Sequence, residues 1–385
     1  MRIILMATNV YGNGANSTAG ANTIVHFYDR AGVKAANRVN VYGQFADRKS
    51  MPKKMGKTFK ISKFLHMYDR SINDAEFAAK GFLSARSVEE VNTALSNATL
   101  SEGAGAVNKK SLQKITMETS LARYGEMIDY TDEVELFSED AIQVRYREEL
   151  GELANSRMED LMQLDMLATA TVMYAGDATA IGEIDADSTV SYDLIRKAVR
   201  KLVRNRAQKN TQLVTGSTKI DTQTIAKAYY AVIGANVKGD LETLTRGTVA
   251  DNGSTEFVYI PAHKYASAAT LAEGEVGAMH EVRFIESESA VVYAGQGADA
   301  TGHTGGLSVT SGNFDVFPIL FPTQGCFATV GLKGQGKIKF NSKSPEQVEN
   351  ANPYGTNGFF SYNFFYAGII LEEEKLLKIL VSASA

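Results

Sequence analysis

One helical pattern, running from Ser138 to about Gly176, limits what this chain can fold into more than any other feature. Ser138 has N-cap chemistry, and Glu139 and Asp140 follow where carboxylates meet the positive end of a helix dipole. Ile142, Tyr146, Leu150, Leu153, Met158, Leu161, Leu164 and Ala168 recur at steps of three and four, with one step of five, marking an apolar face. Arg145, Glu148, Glu149, Glu152 and Asp160 take the opposite face. Gly151 costs about 1 kcal/mol relative to alanine without stopping the helix. At 1.5 Å per residue such a helix is roughly 55 Å long. It predicts an elongated subunit, or one that borrows neighbours to cover its length.

The sequence before this helix holds no comparable core. Residues 1 to about 50 read as an arm, rich in glycine and asparagine at first, then weakly helical through Ile24, Val25, Tyr28, Val33 and Ala36. Pro52 and Gly56 introduce a strand in which Phe59 and Ile61 alternate with Thr58, Lys60 and Ser62. Ile115, Met117 and Thr119 make the matching strand, continuing towards Tyr124, Met127 and Tyr130. In the polar excursion between them, Ser87 and Glu90 form a capping box for a short helix. Two-stranded hairpins are marginal in water, so the apolar face of this one is expected to lie against another subunit.

Beyond the long helix, Asp193 to Arg206 predicts a second helix. Leu194, Ile195, Ala198, Val199 and Leu202 are on one side, and Arg196, Lys197, Arg200, Lys201, Arg204 and Arg206 cover the rest. Strands are expected at Tyr229–Ile233, Glu256–Ile260, Val282–Glu286, Ala290–Tyr293, Phe314–Phe321 and Cys326–Leu332, with a mobile glycine-rich loop over Gly295–Gly306. This region reads as one compact α+β unit. Phe359–Leu371, a turn at Glu372–Lys375 and Leu376–Val381 suggest a closing hairpin against the long helix.

Catalytic and ligand-binding constellations are not found. The five histidines are scattered, and neither a nucleophile elbow nor a Walker loop occurs, so no catalytic residue, cofactor or metal site is expected. Gly331, Gly334 and Gly336 lead into an expected strand at Lys337–Phe340, not a helix. Cys326 is the only cysteine, which excludes an intrachain disulfide and fits synthesis in a reducing cytosol. The opening MRIILM is too short for a signal-peptide core, and no apolar run approaches the ~18 residues of a membrane span. The basic helix could track nucleic-acid phosphates or face other subunits. A net charge of −4 and the lack of a nearby aromatic platform favour subunit contact.

An ordered set of motifs resembles the N4-type major capsid proteins of tailed bacteriophages. The run from Met51 to Ile61 is similar to that family's proline–glycine–lysine entry, and Leu100 to Gly103 to its Leu-x-Glu-Gly turn. Tyr124-Gly125, Thr131-Asp132 and the basic segment Ile195–Ala207 also resemble family motifs. So do His263–Ser267, Glu273–Gly277 and Val282–Glu286, in matching order and spacing. Ser344-Pro345 and Gly358-Phe359-Phe360 depart from its C-terminal Asp-Pro-Leu and Gly-Trp-Lys pattern.

The resemblance implies an α+β Hong Kong 97-like capsid fold. Its parts would be an arm (1–50), an extended hairpin (51–122), a peripheral domain (123–184) with a spine helix over 138–175, an axial domain (185–340), and a tail (341–385) returning to the peripheral sheet. It implies hexamers and pentamers of this chain tiling a virion shell, assembled in the host cytoplasm around double-stranded DNA that is not read by sequence. Scaffolding, portal and decoration proteins would be further partners, with no membrane. An encapsulin-like cellular compartment is the alternative. Candidate subunit contacts are Phe59, Ile61, Ile115 and Met117 on the hairpin, Glu102 in its turn, and Arg196, Lys197, Arg200 and Lys201 on the basic helix.

Overall fold

The computed structural model describes residues 41–64, 87–100, 102–103, 112, 114–137, 142–214, 222–248, 255–265, 271–303, 305–334, 338–348 and 352–385. Two sheets and the long helix organise these residues. The weak helix expected at 24–36, the Ser138 cap and much of the hairpin excursion lie outside them.

The five-stranded sheet has the order Asp47–Met51, Phe327–Leu332, Asn357–Ile370 and Lys339–Lys343, with Ala122–Thr131 also paired to Asn357–Ile370. Asn357–Ile370 is its axis. Phe360, Tyr362, Phe364 and Tyr366 fall at the period of two that puts side chains on one face, and all are buried towards the long helix. Tyr130 stacks on Phe360 (ring centroids 5.5 Å) and Tyr124 on Phe364 (5.8 Å).

The long helix spans Ile142–Leu167, 26 residues and about 39 Å. It is shorter than expected because Val172–Tyr174 forms a strand beside Leu377–Val381. Lys378 Nζ donates to Leu167 O (2.8 Å), placing a cation at the negative end of the helix. The buried face carries Leu150, Ala154, Glu159, Met162, Gln163, Met166 and Leu167. Tyr146, Leu150, Leu153, Met158 and Leu161 of the expected stripe meet the core, whereas Leu164 is 55% exposed and Ala168 is exposed, so the stripe rotates only over the last turns.

The eight-stranded sheet runs Ile260–Pro261, Glu275–Met279, Val282–Glu286, Thr222–Ile233, Phe317–Phe321, Leu377–Val381 and Val172–Tyr174, with Asn210–Val214 also paired to Thr222–Ile233. Both faces of its central strand are covered. Tyr229, Ala231 and Ile233 meet the helices Tyr192–Arg204 and Ala235–Glu242, while Tyr230 and Val232 join the core under the long helix. A strand buried on both sides reads as a continuous apolar run.

Four expectations are corrected here. Residues 41–51 are not arm: Val41, Tyr42, Phe45 and Ala46 enter the core and Asp47–Met51 pairs in parallel with Phe327–Leu332. Ala290–Tyr293 forms no strand, only one bridge from Tyr293 to Val316. The Gly295–Gly306 loop is tied down, with Gly295 N–H donating to Asp315 Oδ1 (2.7 Å) and Ala298 N–H to Ile184 O (2.8 Å). The last two strands are no hairpin, since Glu373–Lys375 forms a 3-10 turn that sends Leu377–Val381 into the other sheet.

Candidate assembly surfaces

The hairpin pairs Thr58–Phe64 with Lys114–Ser120 in antiparallel register: Phe59 opposite Thr119, Ile61 opposite Met117, Lys63 opposite Ile115. These six therefore share one face. Contrary to expectation, part of this face is already covered by its own chain. Phe59 and Met117 pack against Ala328, Val330, Ala367 and Ile369 of their own chain. Thr119 Oγ1 donates to Gly368 O (3.0 Å), and Lys63 Nζ donates to Leu371 O (3.3 Å) and approaches Glu374 (3.8 Å). The outer face stays wet, where Lys60 bonds Glu118 across the strands (2.8 Å) and holds that carboxyl below its usual range. Glu102 stands exposed in a turn beside Gly103, whose φ of +77° suits glycine. Before it in sequence, Val88–Ser96 forms with the expected capping box, Ser87 N–H to Glu90 at 2.9 Å and Glu90 N–H to Ser87 Oγ at 3.1 Å.

The basic helix spans Tyr192–Arg204 and begins at Ser191, whose hydroxyl accepts from Leu194 N–H (3.2 Å). Arg196, Lys197 and Arg200 are exposed, and Arg196 reaches Asp193 (3.3 Å) while lying over the Tyr192 ring (5.7 Å). Lys201 does not belong with them. It is buried, its Nζ donates to Val172 O (2.9 Å), and burial lowers its pKa to about 8. Three of the four expected cations are thus exposed.

Sequence periodicity missed the polar contacts inside the molecule. Glu159 Oε2 accepts from Tyr42 N–H (2.9 Å) and Oε1 from Gly43 N–H (3.2 Å). Burial raises its pKa against the opposing effect of these bonds. Tyr366 donates to Asp165 Oδ2 (2.8 Å), and burial raises the Asp165 pKa. The only available signal was an acid interrupting a run of Met and Leu.

The ordered motifs acquire physical roles. Arg283 meets Glu275 across two adjacent strands (3.2 Å), with the glutamate side chain fully buried. A Cβ at Gly277 would collide with the ring of Tyr259. Lys238 bonds Glu286 (2.7 Å) and ties the helix Ala235–Glu242 to the sheet.

No family model matches the chain. The chain is 30% identical over 375 residues to the major capsid protein of Pseudomonas phage KPP21, covering 94% of this chain and 93% of that one. Its fold is similar to the capsid of Ralstonia phage GP4, with TM-score 0.60 at 10% identity and coverage of 97% and 99% of the two chains. It is also similar to the capsid of cyanophage Pam1, with TM-score 0.57 at 11% identity and coverage of 96% and 100%. The mixed sheets, long helix and hairpin are thus a Hong Kong 97-like capsid fold. With identity to a phage capsid protein extending along nearly its whole length, the chain belongs to the major capsid protein family of bacteriophages.

Proposed function

We propose that this chain is an N4-type major capsid protein that assembles, as hexamers and pentamers, into the icosahedral head shell of a tailed double-stranded DNA phage. The observation that carries this reading is the 30% identity to a phage major capsid protein along 94% of the chain. A phage relative does not favour the cellular-compartment alternative. The N4-type assignment draws support from the ordered motifs, now with packing roles at Glu275, Gly277 and Arg283.

The peripheral domain corresponds in this reading to the long helix with the five-stranded sheet, and the axial domain to the eight-stranded sheet with the basic helix. Strand pairing favours moving Phe327–Leu332 to the former, and Val172–Tyr174 and Leu377–Val381 to the latter. Ile61, Ile115 and Glu102 on the hairpin and Arg196, Lys197 and Arg200 on the basic helix are the proposed subunit contacts. The role is structural, not enzymatic. The protein resides in the virion after assembly in the host cytoplasm, beside portal, scaffolding and decoration proteins, and encloses DNA without reading its sequence. Many modest contacts acting together hold such a shell.

Electron microscopy and light scattering of the purified protein, with and without scaffolding factors, test this. Uniform closed particles are expected. A folded species that stays monomeric under both conditions overturns it.

A further inference from the structure

The five-stranded sheet is split. Pairing between Phe327–Leu332 and Asn357–Ile370 ends at Val330 opposite Ala367, and the chain then diverges through Gly331 to Gly334. The split holds a cavity of about 620 Å³, lined by Met158 and Met162 of the long helix and by Leu332 and Phe365. Arg48, Lys49, Lys333 and Lys339 also line it, all exposed and none paired with a carboxylate among the described residues. An apolar floor with a cationic rim suits an apolar segment that carries acids.

The same chain has such a segment. The short helix Asp132–Phe137 leaves Leu136 73% and Phe137 84% exposed. Residues 132–140 include Asp132, Glu133, Glu135, Glu139 and Asp140 and no lysine or arginine. This tip is fixed at the start of the strand Asn357–Ile370, where Asp132 N–H donates to Thr356 O (2.9 Å) and Thr131 pairs with Asn357. Phe365, at the cavity, is eight residues further along that strand, about 26 Å away at ~3.3 Å per residue. The tip therefore does not reach the split of its own chain.

We propose that the acidic apolar tip Asp132–Phe137 of one copy docks into the arginine- and lysine-rimmed split of a second copy. Leu136 and Phe137 would leave water over the two methionines while the carboxylates meet the rim. Residues 1–40 are a poorer occupant: Arg2, Arg30, Lys34 and Arg38 against Asp29 give them the charge of the rim. Joining two different patches makes the contact heterologous, so it propagates head to tail and closes into rings where the rotation permits. It rests on the shell reading, in which copies of the chain meet.

Full-length Phe137→Cys and Leu332→Cys proteins, mixed under assembly conditions and treated with a short bis-maleimide, test the contact. Native Cys326 is fully buried and does not compete. A covalent heterodimer is expected from the mixture and little dimer from either variant alone. No heterodimer, whether particles form or not, overturns the proposal, as does a Phe137→Cys homodimer in its place. A heterodimer without closed particles keeps the contact and counts against the shell. In parallel, Lys333→Glu with Lys339→Glu is expected to lower the assembled fraction roughly tenfold, and Asp132→Lys with Glu133→Lys to restore it. Absence of that rescue while the heterodimer forms overturns the electrostatic half.

Discussion

Glu159 and Tyr42, 117 residues apart in sequence, meet inside the molecule, where the carboxylate accepts the backbone N–H of Tyr42 at 2.9 Å. Gly43 N–H adds a second bond at 3.2 Å. One side chain on the long helix thereby anchors the segment where residues 41–46 enter the core.

Glu159→Ala removes the acceptor of one buried and one part-buried donor and is expected to destabilise the unassembled subunit by about 2–4 kcal/mol, measured by urea unfolding. Glu159→Gln keeps an acceptor and should cost less. The carboxyl pKa is raised on folding, so its contribution is fully present below the unfolded value of 4.5 and is lost as pH rises through the folded value. The stability of the wild type relative to Glu159→Gln is therefore expected to fall as pH rises across that window. A difference that rose with pH would refute the assignment.

The hairpin divides into a part belonging to its own subunit and a part available to others. Phe59→Ala and Met117→Ala are expected to lower subunit stability by about 1–3 kcal/mol each, the lower range for truncating apolar side chains, because both pack on the five-stranded sheet. Ile61→Ser and Ile115→Ser should affect the melt less than assembly. Equal melts for all four variants would contradict the observed packing.

Gly277→Ala places a methyl group against the ring of Tyr259. Overpacking of this kind costs about 1–3 kcal/mol. Tyr259→Leu, which clears the ring, is expected to recover part of the loss, and a double-mutant cycle measures the coupling.

Lys201→Met separates burial from surface charge. The lysine pKa is lowered on folding to about 8, so its stabilising contribution is present above the unfolded value of 10.5 and is lost as pH falls through 8. Wild-type stability should rise relative to Lys201→Met between those limits. Assembly should be unaffected by Lys201→Met but impaired by Arg196→Glu with Arg200→Glu.

Local chemistry made much of the fold legible. The Ser87–Glu90 capping box, the hairpin alternation and the amphipathic basic helix each need only a few neighbouring residues to declare themselves. What stayed hidden depends on distant partners. The helix ends at Leu167 because Val172–Tyr174 pairs with residues 378–380, which overrides local helical spacing. Glu159 faces inward because the Tyr42 and Gly43 amides need an acceptor, and Leu164 faces outward in consequence. Of the candidate contacts, the exposure of Arg196, Lys197 and Arg200 could be read from spacing. Lys201 could not be separated from them until Val172 O was placed beside it.

The 3-10 turn at Glu373–Lys375 sets an order of events during synthesis. Strand Asn357–Ile370 is the axis of one sheet, and Leu377–Val381 lies inside the other, between Phe317–Phe321 and Val172–Tyr174. A nascent chain emerging at about 5–20 residues per second has every strand of the first sheet once residue 370 is out, whereas the second stays open until residue 381 follows. The eight-stranded sheet is therefore the later of the two to finish.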